Sequence, residues 1–134
     1  MGFSLTAAAA IIGVAMLMTL EVLWGATLPT MEDINDKYDS MKDRSIEQAQ
    51  TEITISNAVW FNPNTLISLD NNGSVTVNTT NCNILFNGVS KSFSCNIYNL
   101  YPEQTAIFTV AERLNPGDII KIITPNGVSD YYTF

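Results

Sequence analysis

The chain has 134 residues, enough for one domain and a short appendage, which excludes two full domains. Thirteen acids against six bases give a net charge of −7 and an isoelectric point near 4.2, so the cationic footprint of a nucleic-acid-binding protein is missing. Histidine is absent, and with it the commonest general base, the commonest zinc ligand and every Ser-His or Cys-His pair.

The low charged fraction of 14% has a local origin. Residues 2–20 carry no charge, and beyond Glu21 the apolar run resumes up to Pro29. At about 1.5 Å per residue, 2–28 would span about 40 Å against a hydrocarbon core of about 30 Å, which predicts a transmembrane helix over 3–28. A secretory signal peptide is the rival, but no Lys or Arg precedes the run, the run is longer than an h-region, and no small-x-small cleavage site is well placed before the polar boundary. Glu21 lies about 27 Å along the helix from Phe3, which places it at the far headgroup boundary; the alternative is an intramembrane carboxylate meeting a partner helix. Trp24, three residues on, fits the boundary reading as an aromatic anchor against lipid.

Residues 29–50 read as a charged, amphipathic helical stalk. Met31, Ile34, Tyr38 and Met41 recur at helical spacing and form one narrow apolar seam, while Ser45 and Gln48 at the next seam positions argue against a long coiled coil. Pro29 either ends the first helix, with Thr30 capping a second, or bends a single rod.

From residue 51 the pattern changes to short period-two runs separated by Asn, Gly and Pro, which predicts an all-β sandwich over 51–134. Asn87-Gly88 and Asn126-Gly127 carry the signature of type I′ hairpin turns, and Asn72-Gly73 reads as a third turn or a bulge. Cys82, Ile84, Phe86, Phe93, Cys95 and Ile97 fall on one face, assigned to the core. A four-residue hairpin loop at 87–90 would set Cys82 opposite Cys95, whereas a two-residue loop would set it opposite Phe93; a disulfide between Cys82 and Cys95 is the expectation. The sequons Asn72-Gly73-Ser74 and Asn78-Thr79-Thr80 make Asn72 and Asn78 acceptors for N-glycosylation. The positive-inside rule is nearly silent because all six bases lie beyond residue 36; the sequons and the cysteine pair favour a C-terminal domain outside the cell.

Catalysis has little to stand on. Asp70-Asn71-Asn72-Gly73 lacks the spaced ligands of a calcium loop, and Asp118 and Asp130 read as a turn residue and an edge-strand solubiliser. No cofactor, metal or enzymatic activity is expected. The exposed amides, hydroxyls and tyrosines suit recognition of a protein or glycan. The strand at 128–134, with Tyr131, Tyr132 and Phe134, is the edge expected to pair with a partner.

Met1-Gly2-Phe3-Ser4, the Ala7-Ala8-Ala9-Ala10-Ile11-Ile12 run, the Asp/Lys-rich helix and the closing Pro116-Gly117-Asp118-Ile119-Ile120-Lys121-Ile122-Ile123-Thr124-Pro125-Asn126-Gly127-Val128-Ser129-Asp130-Tyr131 stretch together resemble the archaellum accessory protein F family of the archaeal swimming apparatus. The resemblance implies a membrane anchor, an immunoglobulin-like outer sandwich that contacts the surface-layer protein, and joint action with the related protein G family as a stator, with no catalytic residue. A homodimer is a further expectation. Pilin-like and archaellin-like filament subunits share the helix-under-β-head plan, but they carry Lys or Arg before a Gly cleavage point. No basic residue precedes Gly2, so the anchor is expected to be retained. A general surface-adhesion module is the remaining alternative.

Overall fold

The run of Ala, Leu, Ile and Met from residue 2 forms one uninterrupted helix, α1 (Gly2–Gln50), in the computed structural model, which describes residues 2–134. Pro29 sits inside α1 rather than between two helices. It lacks the N–H that would bond the carbonyl four residues back, and that residue is Gly25, the least bulky neighbour available. Beside it, the Thr30 hydroxyl donates to the Ala26 carbonyl at 2.7 Å and the Thr27 hydroxyl to that of Leu23, so hydroxyls bond to the backbone on this turn.

Two compact units divide the chain at Lys42 and Asp43, so the last turns of α1 group with the β-rich part. In the first unit, an apolar 18-residue stretch of mean hydropathy 2.1 is long enough to cross a membrane. Glu21 and Trp24 lie on this helix with exposed side chains, as do the seam residues Met31, Ile34, Tyr38 and Met41.

The second unit is built from β1 (Ile53–Phe61), β2 (Asn64–Asn71), β3 (Val77–Asn78), β4 (Asn83–Phe86), β5 (Val89–Lys91), β6 (Phe93–Cys95), β7 (Asn99–Leu100), β8 (Thr105–Val110), β9 (Ile119–Ile123) and β10 (Ser129–Thr133), with a 3₁₀ turn at Thr79–Asn81. Two four-stranded antiparallel sheets, ordered β1-β2-β8-β6 and β10-β9-β4-β5, enclose the core, and β3 pairs with β7 apart from them. Ile67, Leu69, Ala106 and Phe108 from the first sheet meet Ile84, Ile120 and Ile122 from the second, all fully buried. Phe93 stands edge-on to Phe108 with ring centroids 5.2 Å apart, an arrangement that aromatic quadrupoles favour.

Asn87 and Gly88 take φ of 49° and 84° in a two-residue turn, with Phe86 opposite Val89, so the type I′ expectation holds there. At the other Asn-Gly pair it fails. Only Gly127 has positive φ, and Gly127 N–H donates to the Thr124 carbonyl while Thr124 N–H donates to that of Val128. The difference comes from Pro125, whose ring favours the first central position of a turn with negative φ, leaving Gly127 the left-handed position that follows.

Gly73 needs its missing side chain for a different reason. A Cβ there would stand 2.5 Å from the Gln50 carbonyl oxygen and 2.5 Å from the Glu52 nitrogen. The 72–74 backbone is thus pressed against the exit of the helix, where Asn72 and Gly73 N–H donate to the Glu52 carbonyl and Ser74 N–H to that of Gln50. Asn71, fully buried, organises the same corner by donating to the Val75 and Leu100 carbonyls and accepting from Gly73 N–H.

Candidate interaction surfaces

Strand parity decides which side chains are available for recognition. In the second sheet, Tyr131 lies opposite Lys121, whose ammonium sits 4.7 Å from the ring centroid, and the ring is exposed. Its neighbours do not share this face. Tyr132 and Phe134 are partly buried and pack against the core, because successive residues of a strand point to opposite sides. Of the three residues expected at an interface, Tyr131 alone is exposed. The edge it belongs to is also engaged: the Asp130 carboxylate accepts the Ile55 N–H at 2.8 Å, joining β10 to β1 along one side of the sandwich.

The first sheet presents the more extensive surface. Val59 pairs with Leu66, Leu66 with Thr109, Ser68 with Ile107 and Phe61 with Asn64, and these residues share the outer face. Val59, Phe61 and Ile107 are exposed apolar side chains, Phe61 to 72%. The ionisable residue of this face is Asp70, at the opposite end of β2 from Phe61 and bonded to the Thr105 hydroxyl. Trp60 points the other way, opposite the buried Thr65, and the Arg113 guanidinium covers it at 4.7 Å from its ring centroid. Apart from Asp70 at one end, this β-branched and aromatic sheet face is uncharged, which suits contact with another protein rather than with an ion or a nucleotide. Sequence reasoning missed it because Leu66-Ile67-Ser68-Leu69 and Ala106-Ile107-Phe108-Thr109 carry apolar residues on both parities.

The cysteines require a correction. Lys91 closes β5 in the second sheet, and the chain crosses at Ser92 to place β6 beside β8 in the first, so Cys95 pairs with Phe108 and not with Cys82. Cys82 and Cys95 are free thiols, one buried and one partly buried. Burial, with a smaller contribution from Cys95, pushes the Cys82 thiol up to about 12. The six residues assigned to one core face do line the same core, but Ile84 and Phe86 reach it from the second sheet and Phe93 and Cys95 from the first.

Both sequon asparagines are exposed. Asn72 donates its amide to the Thr54 hydroxyl at 3.0 Å, whereas Asn78 caps the 3₁₀ turn, its carbonyl oxygen accepting from Thr80 N–H at 3.1 Å and from the Thr80 hydroxyl at 2.6 Å. Asp118 joins two turns by accepting from Asn115 N–H at 2.7 Å and from the Asn87 amide at 2.8 Å. The Asn115 backbone bond, and then the Asn87 amide, hold the Asp118 carboxyl below its usual range. No cluster of metal-ligating side chains occurs among the described residues.

A long N-terminal helix followed by two antiparallel sheets of four strands defines the class: a helix-bearing β-sandwich protein. No family profile and no curated protein matches the sequence. Among solved structures the fold is similar to that of the archaellum periplasmic stator protein FlaG from Sulfolobus acidocaldarius, with a TM-score of 0.56 and 22% identity over 63% of this chain and 99% of that one. It is similar as well to a chain of the archaellum periplasmic stator protein complex FlaF and FlaG from the same organism, with a TM-score of 0.54 and 22% identity over 63% of this chain and 89% of that one.

Proposed function

We propose that this chain is a non-enzymatic stator component of the archaeal motility apparatus, anchored by its N-terminal helix with the sandwich outside the membrane. The observation that carries the reading is the likeness of fold to two stator structures, extending over 99% of the FlaG chain. The apolar stretch of α1 supports the anchor, with Glu21 and Trp24 at the outer headgroup boundary. A stator resists load without chemistry, and its partners are a subunit of the F or G type and the surface-layer protein. The outer face of the first sheet, bearing Val59, Phe61 and Ile107, is the docking surface of the sandwich, with Tyr131 on the second sheet as a separate contact.

Affinity capture from detergent-solubilised native membranes tests this. The full-length chain retains surface-layer protein and an F- or G-type subunit. The double substitution Val59→Ser and Phe61→Ser reduces that retention at least tenfold while the melting temperature stays within about 3 °C, because both side chains are exposed. Tyr131→Ala run in parallel reports the second contact. Capture of neither partner by the unmodified chain overturns the functional reading; undiminished capture by the double variant overturns the surface.

A further inference from the structure

The two sequons have the same sequence pattern but opposite local chemistry. N-glycosylation needs the Asn amide nitrogen as nucleophile. As Nδ2 attacks the anomeric carbon of a glycosyl phosphate carried on a membrane lipid, the nitrogen–carbon bond forms, the bond from that carbon to the phosphate oxygen breaks, and the lipid phosphate leaves with the electron pair. Nδ2 gives up one proton to a base of the transferase. Loss of that proton leaves negative charge shared between Nδ2 and Oδ1, so donors aimed at Oδ1 favour the deprotonation that makes the nitrogen nucleophilic.

Asn78 has that arrangement. Its Oδ1 accepts both the Thr80 N–H at 3.1 Å and the Thr80 hydroxyl at 2.6 Å, while the side chain stays exposed on the rim of a cleft formed by Glu47, Thr76, Thr124 and Pro125. Asn72 has the reverse. Its amide nitrogen is committed to the Thr54 hydroxyl at 3.0 Å, and Ser74 N–H, the equivalent of the Thr80 donor, is directed to the Gln50 carbonyl at 2.9 Å. Gly73 between them is pressed against the helix exit, where even a Cβ would meet backbone at 2.5 Å.

We infer that Asn78 is the N-glycosylation site of this chain and that Asn72 remains unmodified. The inference rests on the reading that the sandwich lies outside the membrane. The glycan emerges beside the last turns of α1, from the β3–β7 pair.

The test uses full-length protein isolated from membranes of an N-glycosylating archaeal host. Trypsin leaves both sequons on one peptide, 45–91, so electron-transfer fragmentation assigns the sugar to a residue. A glycan mass on Asn78 with Asn72 bare is expected. Asn78→Gln and Thr80→Ala should each abolish it, Thr80→Ser should retain it, and Asn72→Gln should leave occupancy unchanged. Glycan on Asn72, alone or at equal occupancy, overturns the inference. Protease added to intact cells separates the two ways of finding no glycan. A bare chain whose sandwich is digested overturns the site alone; a bare chain whose sandwich is protected overturns the site together with the external placement.

Discussion

The carboxylate of Asp130 accepts the backbone N–H of Ile55 at 2.8 Å, bridging β10 and β1 where the two sheets come together at their edges. The bond falls next to the irregularity between Ile55 and Asn57, where the β1–β2 ladder slips by one residue. An acid that in sequence looks like a charge blunting an exposed edge thus satisfies an edge donor of another strand.

Removing that acceptor should be costly. Asp130→Ala leaves the Ile55 N–H without its partner and is expected to lower stability by about 1–2 kcal/mol, whereas Asp130→Asn, which keeps an acceptor oxygen, loses less. Urea unfolding of the detergent-solubilised chain measures both. A midpoint for the alanine variant indistinguishable from wild type would show that the link carries no stability.

Gly73→Ala places a methyl group where the backbone of residues 50–52 already lies, and the expected cost is about 1–3 kcal/mol. Amide hydrogen exchange should show the loss first at Asn72, Gly73 and Ser74, whose N–H groups bond to Glu52 and Gln50. Slow exchange preserved at all three in the variant would contradict the steric account.

The Cys82 thiol makes stability depend on alkaline pH. Its value rises from 9.0 in a free thiol to about 12 in the folded chain, so between these limits the folded state holds a proton that the unfolded state releases. Stability is therefore full below about pH 9 and falls as pH rises toward 12, by at most about 1.4 kcal/mol per pH unit. Denaturant midpoints measured from about pH 8 to about pH 10.5 should decline more steeply for the wild type than for Cys82→Ala. A thiol assay after unfolding should find both sulfhydryls; an oxidised pair would remove the difference in slope.

Several elements were legible in the sequence because their causes are local. The apolar run of α1, the alternation of the strands and the Asn87-Gly88 turn all follow from periodicity and from the φ that each residue tolerates. The crossing at Ser92 was not legible, since a strand that changes sheets still faces the same core and its alternation continues undisturbed from Lys91 to Cys95. The parity of β2 and β8 was hidden for a related reason: with apolar residues on both sides, only pairing of Ile67 with Phe108 and Leu69 with Ala106 selects the inner set. Gly73 could not be assigned to a turn or a bulge because its constraint comes from Gln50 and Glu52, far back in the chain. Tyr132 and Phe134 were expected at an interface for their composition, while the pleat turns them inward.

The exit of α1 into the sandwich has a mechanical consequence. Only Thr51 and Glu52 separate Gln50 from Ile53, and the exit is strapped on two sides: the Gln48 amide donates to the Asn126 carbonyl at 2.6 Å and the Asn126 amide to the Thr51 hydroxyl at 2.7 Å, while Ser74 N–H holds the Gln50 carbonyl at 2.9 Å. A joint made of a single flexible tether would act as a swivel. Here a torque on the last turns of the helix is handed directly to both the 72–74 corner and the 124–127 turn, so those turns and the sandwich rotate together.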